Sequence, residues 1–525
     1  MTNQSLPIEW QTAYERDRQG LATYADPLPE RRLARLLSAF IVTGLAFLAL
    51  PGTFLGVWNL IQISSRHNSG GASTAWIQAH GQAQLLGWVG SFIFGISLYI
   101  LPKILHRPLV RLRLAWLVWA LWTLGVTWRW WAGVGGQHWR IGLLASAVLE
   151  MASFTLLQYL LFAAPRAKAA QAEKQPMTDF GSQLGIAGFI ALALALVLNC
   201  IAAVAAVRGN TLPMYPERID RTFLFVFLWG FVVAVAWSYS TRFVTNFLNL
   251  EPPQHELGRP LVVGLAIAVM CALLGWFAAA DVLALALSLV AIWALRVWKR
   301  SIRPPKRAGV YHSYPAFVRL AYAWLLVGAA LGVVADWLGG EAGWGGASRH
   351  AITVGFVATL IFAIGPRILP SFLNSRKLYS SRLMGMSLWL LNIGCTLRVS
   401  SEAAAYSVGA ASATWSLLPI SAFLELAAVL IFVANMARTL LQPVPAWFGP
   451  GGVTERLPVY WYVSSYPKTR GILIEAGMKT LARNKNVPRS LTLVEAAAAD
   501  GVNLNHLLSA LNAFFQDRQP RRIDR

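Results

Sequence analysis

Long apolar runs alternate with short polar connections along this chain, and the length of the runs decides the fold class. Stretches of about twenty apolar residues, enough for a helix to cross roughly 30 Å of hydrocarbon, occur near 36–62, 76–102, 114–133, 141–164, 183–207, 221–248, 260–279, 280–298, 315–337, 349–373, 382–400 and 414–440. These twelve spans predict an all-α, polytopic membrane protein, since a lone strand cannot satisfy its backbone in lipid. A short polar segment, 1–35, precedes the spans. Pro443, Pro445, Gly449, Pro450, Gly451 and Gly452 make 441–455 a linker. The remainder, 456–525, reads as a small helical domain, with Thr492-Leu-Val-Glu495 as a capping box ahead of an Ala-rich helix.

The pattern repeats. Gly87 to Pro102 in the second span aligns without a gap on Gly355 to Pro370 in the tenth, at an offset of 268. Leu121 to Arg129 in the third span matches Leu390 to Arg398 in the eleventh, and Ser146 to Ala152 in the fourth matches Ser421 to Ala427 in the twelfth. A weaker copy, Gly230-Phe-Val to Phe247-Leu248 in the sixth span, matches the tenth at an offset of 125. Three ordered matches predict three four-helix units: spans 1–4, 5–8 and 9–12. A six-plus-six build, usual for transporters, predicts a different register.

Composition agrees with the spans. Only 13% of the 525 residues are charged, and mean hydropathy is +0.51, far from a soluble chain. The first thirty residues lack an apolar h-region, so no cleavable leader is expected. Cys200, Cys271 and Cys395 all lie within apolar runs, which leaves no disulfide framework and no CxxC site. The net charge of +22 comes from basic residues clustered between the spans; it orients the chain in the bilayer and does not predict a nucleic-acid partner. Lys103, Arg107, Arg111 and Arg113, then Arg296 to Arg307, then Arg376, Lys377 and Arg382 fall on one side together with both chain ends. By the positive-inside rule that side is the cytoplasm, and the membrane is a bacterial inner membrane.

His80 and His350 stand just ahead of the matched stretches, near the outer ends of the second and tenth spans. Imidazoles from facing helices are haem axial ligands, two giving a six-coordinate iron and one leaving room for a gas. Solvation, or hydrogen bonding beside Gln78, Gln82 and Gln84, is the plainer role. Arg129 and Arg398, at matching outer positions, suit haem propionates or snorkel to the surface. Glu150 and Glu425, matched in the fourth and twelfth spans, suit an ion pair or a proton relay. His138 is a further external candidate.

The four-plus-four-plus-four build resembles subunit I of the haem–copper oxidases, in which helices 2 and 10 supply the two axial histidines of a haem near the outer face. The sixth and seventh spans here carry no histidine for copper, with Phe223 and Phe225 at the aligned places, and the tenth carries one histidine only. Oxygen reduction of that family's kind is therefore not expected. Ala79-His80-Gly-Gln-Ala-Gln-Leu-Leu-Gly87 and Arg349-His350-Ala-Ile-Thr-Val-Gly355 resemble the NnrS family of bacterial membrane proteins, regarded as haem- and copper-containing and linked to nitric oxide and nitrosative stress. The resemblance implies a haem held by His80 and His350, with nitric oxide or another small gas, or electrons, as its business. The family's second histidine in helix 2 is Gln82 here, and its His-Thr-Gly-Arg stretch after helix 10 is missing, which counts against copper. The tail, with Tyr466-Pro-Lys-Thr, Glu475-Ala-Gly477 and Leu491-Thr-Leu-Val-Glu-Ala-Ala497, resembles DUF1858 and implies a docking surface for a protein partner. A solute transporter without haem and a quinol-linked respiratory electron-transfer subunit are the competing readings.

Overall fold

The structure, a computed structural model, describes residues 6–19, 27–104, 111–162, 179–209, 212–338, 341–372, 378–409, 411–442 and 453–516. The Pro/Gly-rich stretch of the expected linker and the basic residues Arg107, Arg376 and Lys377 lie outside the described residues. Among those described, the fold is all-helical, with a single isolated bridge between Pro458 and Thr492. Two compact units separate. One holds the N-terminal 35 residues, a short piece at 370–376 and everything from Leu440 onward; the other holds the rest.

The larger unit contains the spans. After an N-terminal helix, α1 (Ile8–Arg18), they are α2 (Arg32–Arg66), α3 (Thr74–Pro102), α4 (Leu112–Gly133), α5 (Trp139–Phe162), α6 (Phe180–Gly209), α7 (Glu217–Leu248), α8 (His255–Leu274), α9 (Phe277–Leu295), α10 (Tyr314–Leu338), α11 (Gly343–Pro370), α12 (Ser381–Val408) and α13 (Ala413–Leu441). Eleven of these are long and apolar enough to cross a membrane. The exception is α4, whose 22 residues are ample for length. Trp116, Trp119, Trp122, Trp128, Trp130 and Trp131 lower its mean hydropathy, because an indole is an interfacial group.

The smaller unit joins the two ends of the chain. In the smaller unit Trp10 and Ala13 of α1 are fully buried against Leu457, Tyr462, Leu473, Leu491 and Leu507. Asp17 accepts from the backbone N–H of Ser490 at 3.0 Å, Ser490 Oγ donates to the Ala13 carbonyl at 2.8 Å, and Arg16 pairs with Glu495 at 2.9 Å. The capping box expected at Thr492 is present: Thr492 Oγ1 accepts from the Glu495 amide at 3.3 Å, while Glu495 accepts from the Thr492 amide at 2.9 Å.

The repeat is written into the backbone. Eight-residue π-helical segments interrupt α3 at Ala83–Gly90, α7 at Val226–Val233 and α11 at Ala351–Ala358. Their starts stand 268 and 125 residues before Ala351, the same offsets as the sequence matches. Insertions of this kind are rare and concentrate at functional places. The same three helices are the most enclosed, with 89%, 78% and 72% of their apolar windows buried, against 61% or less for the other eight. Each four-helix unit thus contributes its second helix to the centre. Side chains repeat as well: a Cβ on Gly125 would meet Glu150 Cγ at 2.8 Å and Ser146 O at 3.2 Å, and one on Gly394 would meet Glu425 Cγ and Ser421 O at those same distances.

Candidate functional site

His80 is held by α2, and the local sequence of α2 shows how. Pro51 lacks an N–H and disturbs the helix around it, which is π-helical over Leu48–Phe54. The Gly52 carbonyl is thereby presented sideways, and His80 Nδ1 lies 2.9 Å from it. One turn on, Gly56 offers a flat seat for the ring: a Cβ there would lie 2.6 Å from His80 Cε1. Nδ1 carries the proton in such a contact, so the lone pair of Nε2 is left for a metal. Gln84 donates to Thr53 at 3.1 Å and closes the same stretch of α2 onto α3.

His350, Arg398 and Glu425 lie in the neighbourhood of His80, within electrostatic range. His350 Nε2 lies 3.1 and 3.2 Å from the two carboxylate oxygens of Glu425. That leaves Nδ1 for a metal, or Nε2 once the ring makes a half-turn. Arg398 reaches Glu402 at 3.2 Å, one turn along α12, and its Nε has no hydrogen-bond partner. The structure therefore brings together four of the six residues singled out by sequence, from α3, α11, α12 and α13.

The remaining two form a second cluster with α6 and α7. Arg129 is fully buried, stacks 4.2 Å over the ring of Tyr215, and has no hydrogen-bond partner at Nε, Nη1 or Nη2. Glu150, also fully buried, accepts from Asn199 at 2.8 Å, and Tyr215 OH donates to Asn199 at 2.8 Å. Gln78 ties this group to Asp220, donating at 3.1 Å, and accepts from the Tyr215 amide at 2.7 Å. Burial pushes the Tyr215 phenol well above its ordinary range, with Arg129 opposing. Arg129 lies beside Ala79, since a Cβ on Gly133 would meet Ala79 Cβ at 2.8 Å and Arg129 Nη1 at 3.3 Å. Ala79 and His80 differ by about 100° around the helix, so α3 serves one cluster on each of two faces.

His80 stands three residues ahead of its π segment and His350 one residue ahead, so they are not equivalent positions of the repeat. The places equivalent to His80 hold Phe223 and Ser348, and those equivalent to His350 hold Gln82 and Phe225. His138 sits in a turn with φ +64°, and His67 stacks on Trp415 at 5.7 Å; neither adds to the pair.

Sequence reasoning missed Gly52, Gly56, Asn199, Tyr215, Asp220 and Glu402. Gly125 and Gly394 were within the matched segments and signalled the carboxylates that pack on them. Among the described residues no group of three or more His, Cys, Asp or Glu is placed to hold a metal ion.

A family model described as NnrS protein matches residues 32–443. Among curated proteins none matches. The fold is similar to that of a chain solved in a cryo-EM structure of a heme-copper terminal oxidase dimer, with a TM-score of 0.61 over 92% of this chain and 99% of that one, at 11% identity.

Proposed function

This chain belongs to the NnrS family, and on that premise we propose that it is a haem-binding protein of a bacterial inner membrane, with both termini cytoplasmic, acting in the response to nitric oxide. The observation that carries the reading is the seat of His80: an imidazole anchored through Nδ1, against a glycine, with Nε2 free. His350 is the second ligand, oriented by Glu425, and the oxidase-like fold and the family support the cofactor. His80 and His350 would hold the haem, which, when bound, would supply redox and diatomic-gas-binding chemistry. The protein's own part is to fix ligand orientation through Gly52, Gly56 and Glu425 and to place Arg398 where a carboxylate side arm needs a cation. Arg129, stacked on Tyr215, is a second candidate for such an arm.

The test is the reduced-minus-oxidised optical spectrum of the purified protein beside His80→Ala and His350→Ala. A haem signal in the wild type, lost or converted to another spin state in either variant, is expected. A well-folded wild type that takes up no haem refutes the proposal and favours a transporter.

A further inference from the structure

Below the histidine pair, α3, α7 and α11 do not close completely. Between them is a half-open apolar cavity of about 120 Å³, lined among others by Val89, Val232, Tyr239, Val357, Ile361 and Gly365. One wall comes from each four-helix unit, at the level of the π segments and inward of them. Its chemistry is almost wholly hydrocarbon. The two hydroxyl-bearing residues in the lining are already engaged: Tyr239 OH with Ser97 at 2.8 Å, and Ser240 Oγ accepting from Tyr322 at 2.7 Å.

These facts select the occupant. Water needs two to four polar partners to enter a cavity, and the two hydroxyls here, each already in a hydrogen bond, offer it few. An engineered apolar cavity of about 150 Å³ stays dry and takes up benzene or xenon; a smaller one admits smaller guests. The position is also informative. Val357 is seven residues from His350, about 10 Å along the helix, and Val89, nine residues from His80, stands at the matching place in α3. We infer that this cavity binds small, uncharged apolar molecules of the size of a dissolved gas, and stands on their route to the histidine pair. The binding half stands on the cavity alone, whereas the route rests on the haem reading above.

Gly365 makes the inference testable without disturbing the histidines. A Cβ there meets nothing nearer than 3.8 Å, so Gly365→Ala is tolerated and Gly365→Leu carries its side chain into the space. The full-length protein in lipid nanodiscs is titrated with xenon, read by xenon NMR, and then, loaded with haem, with carbon monoxide after flash photolysis. Wild type and Gly365→Ala are expected to bind xenon, and Gly365→Leu to lose most of it. Gly365→Leu is expected to slow carbon monoxide association several-fold, with the equilibrium affinity changed less than twofold. No xenon uptake by the wild type overturns the binding site. Xenon uptake with unchanged association rates overturns the route. Xenon uptake in a protein that takes no haem keeps the cavity site, removes the route and sinks the haem reading separately.

Discussion

Replacing Gly56 by alanine is the most discriminating perturbation of the histidine site, because it changes no group that could touch a metal. The added methyl would sit 2.6 Å from His80 Cε1 and 2.9 Å from Nδ1, where carbon contacts ordinarily begin near 3.4 Å. The ring must retreat by about 1 Å, which stretches the 2.9 Å contact to the Gly52 carbonyl beyond hydrogen-bond range. Leaving this part-buried donor unpaired costs up to about 1–3 kcal/mol, the range for a fully buried group. Loss of an orienting partner behind a metal ligand lowers affinity about 10–100-fold, or about 1.4–2.8 kcal/mol at 1.4 kcal/mol per decade, so the two routes agree. Gly81→Ala is the control: it adjoins His80, yet a Cβ there has nothing within 4 Å. Haem titration of the purified apoprotein is expected to give a dissociation constant raised 10–100-fold for Gly56→Ala and unchanged for Gly81→Ala. Equal affinity of Gly56→Ala and wild type, or an equal loss in both variants, would refute the seat.

Glu425→Gln keeps size but removes the charge that orients His350, and is expected to shift the haem reduction potential by tens of millivolts, about 30 mV for 0.7 kcal/mol in a one-electron couple; Glu150→Gln, in the separate cluster, is expected to shift it less, as measured by redox titration. Trp10→Ala removes a fully buried indole from the smaller unit and is expected to destabilise that unit by about 3–5 kcal/mol, seen as faster proteolysis of the tail in the intact protein. Burial works to raise the Glu495 carboxyl, but its hydrogen bonds to Arg16 and Thr492 outweigh that and hold it below the usual range. Its stabilising share is therefore complete above the ordinary glutamate pKa and is lost as pH falls through the lowered value, by less than about 1 kcal/mol for so exposed a pair. A tail whose acid unfolding is unaltered by Glu495→Gln would contradict this. Gln137→Cys and Arg113→Cys are expected to react with an impermeant thiol reagent from opposite faces of sealed vesicles; labelling from one face would show that α4 does not cross.

Much of this molecule was legible in its residues, for reasons that can be stated. Helix length follows from bilayer thickness, so the spans were countable by eye. The threefold repeat was legible because matched segments keep constant offsets, and the π segments at Ala83, Val226 and Ala351 show that the backbone repeats in the same register. His80 and His350 stood out because each precedes a matched stretch. What could not be read is the rotation of each helix about its own axis. In lipid an outward leucine and an inward one look alike, since no hydrophobic difference separates the bilayer from the bundle interior. Only the tertiary structure decided that Gly52 and Gly56 carry His80, that Arg398 and Arg129, equivalent in the repeat, serve different clusters, and that α3, α7 and α11 leave an apolar space between them. The same holds for α1, whose Trp10 finds its core more than four hundred residues along the chain. Spacing determined the elements and their count; which faces meet was settled by close packing, which no one-dimensional pattern records.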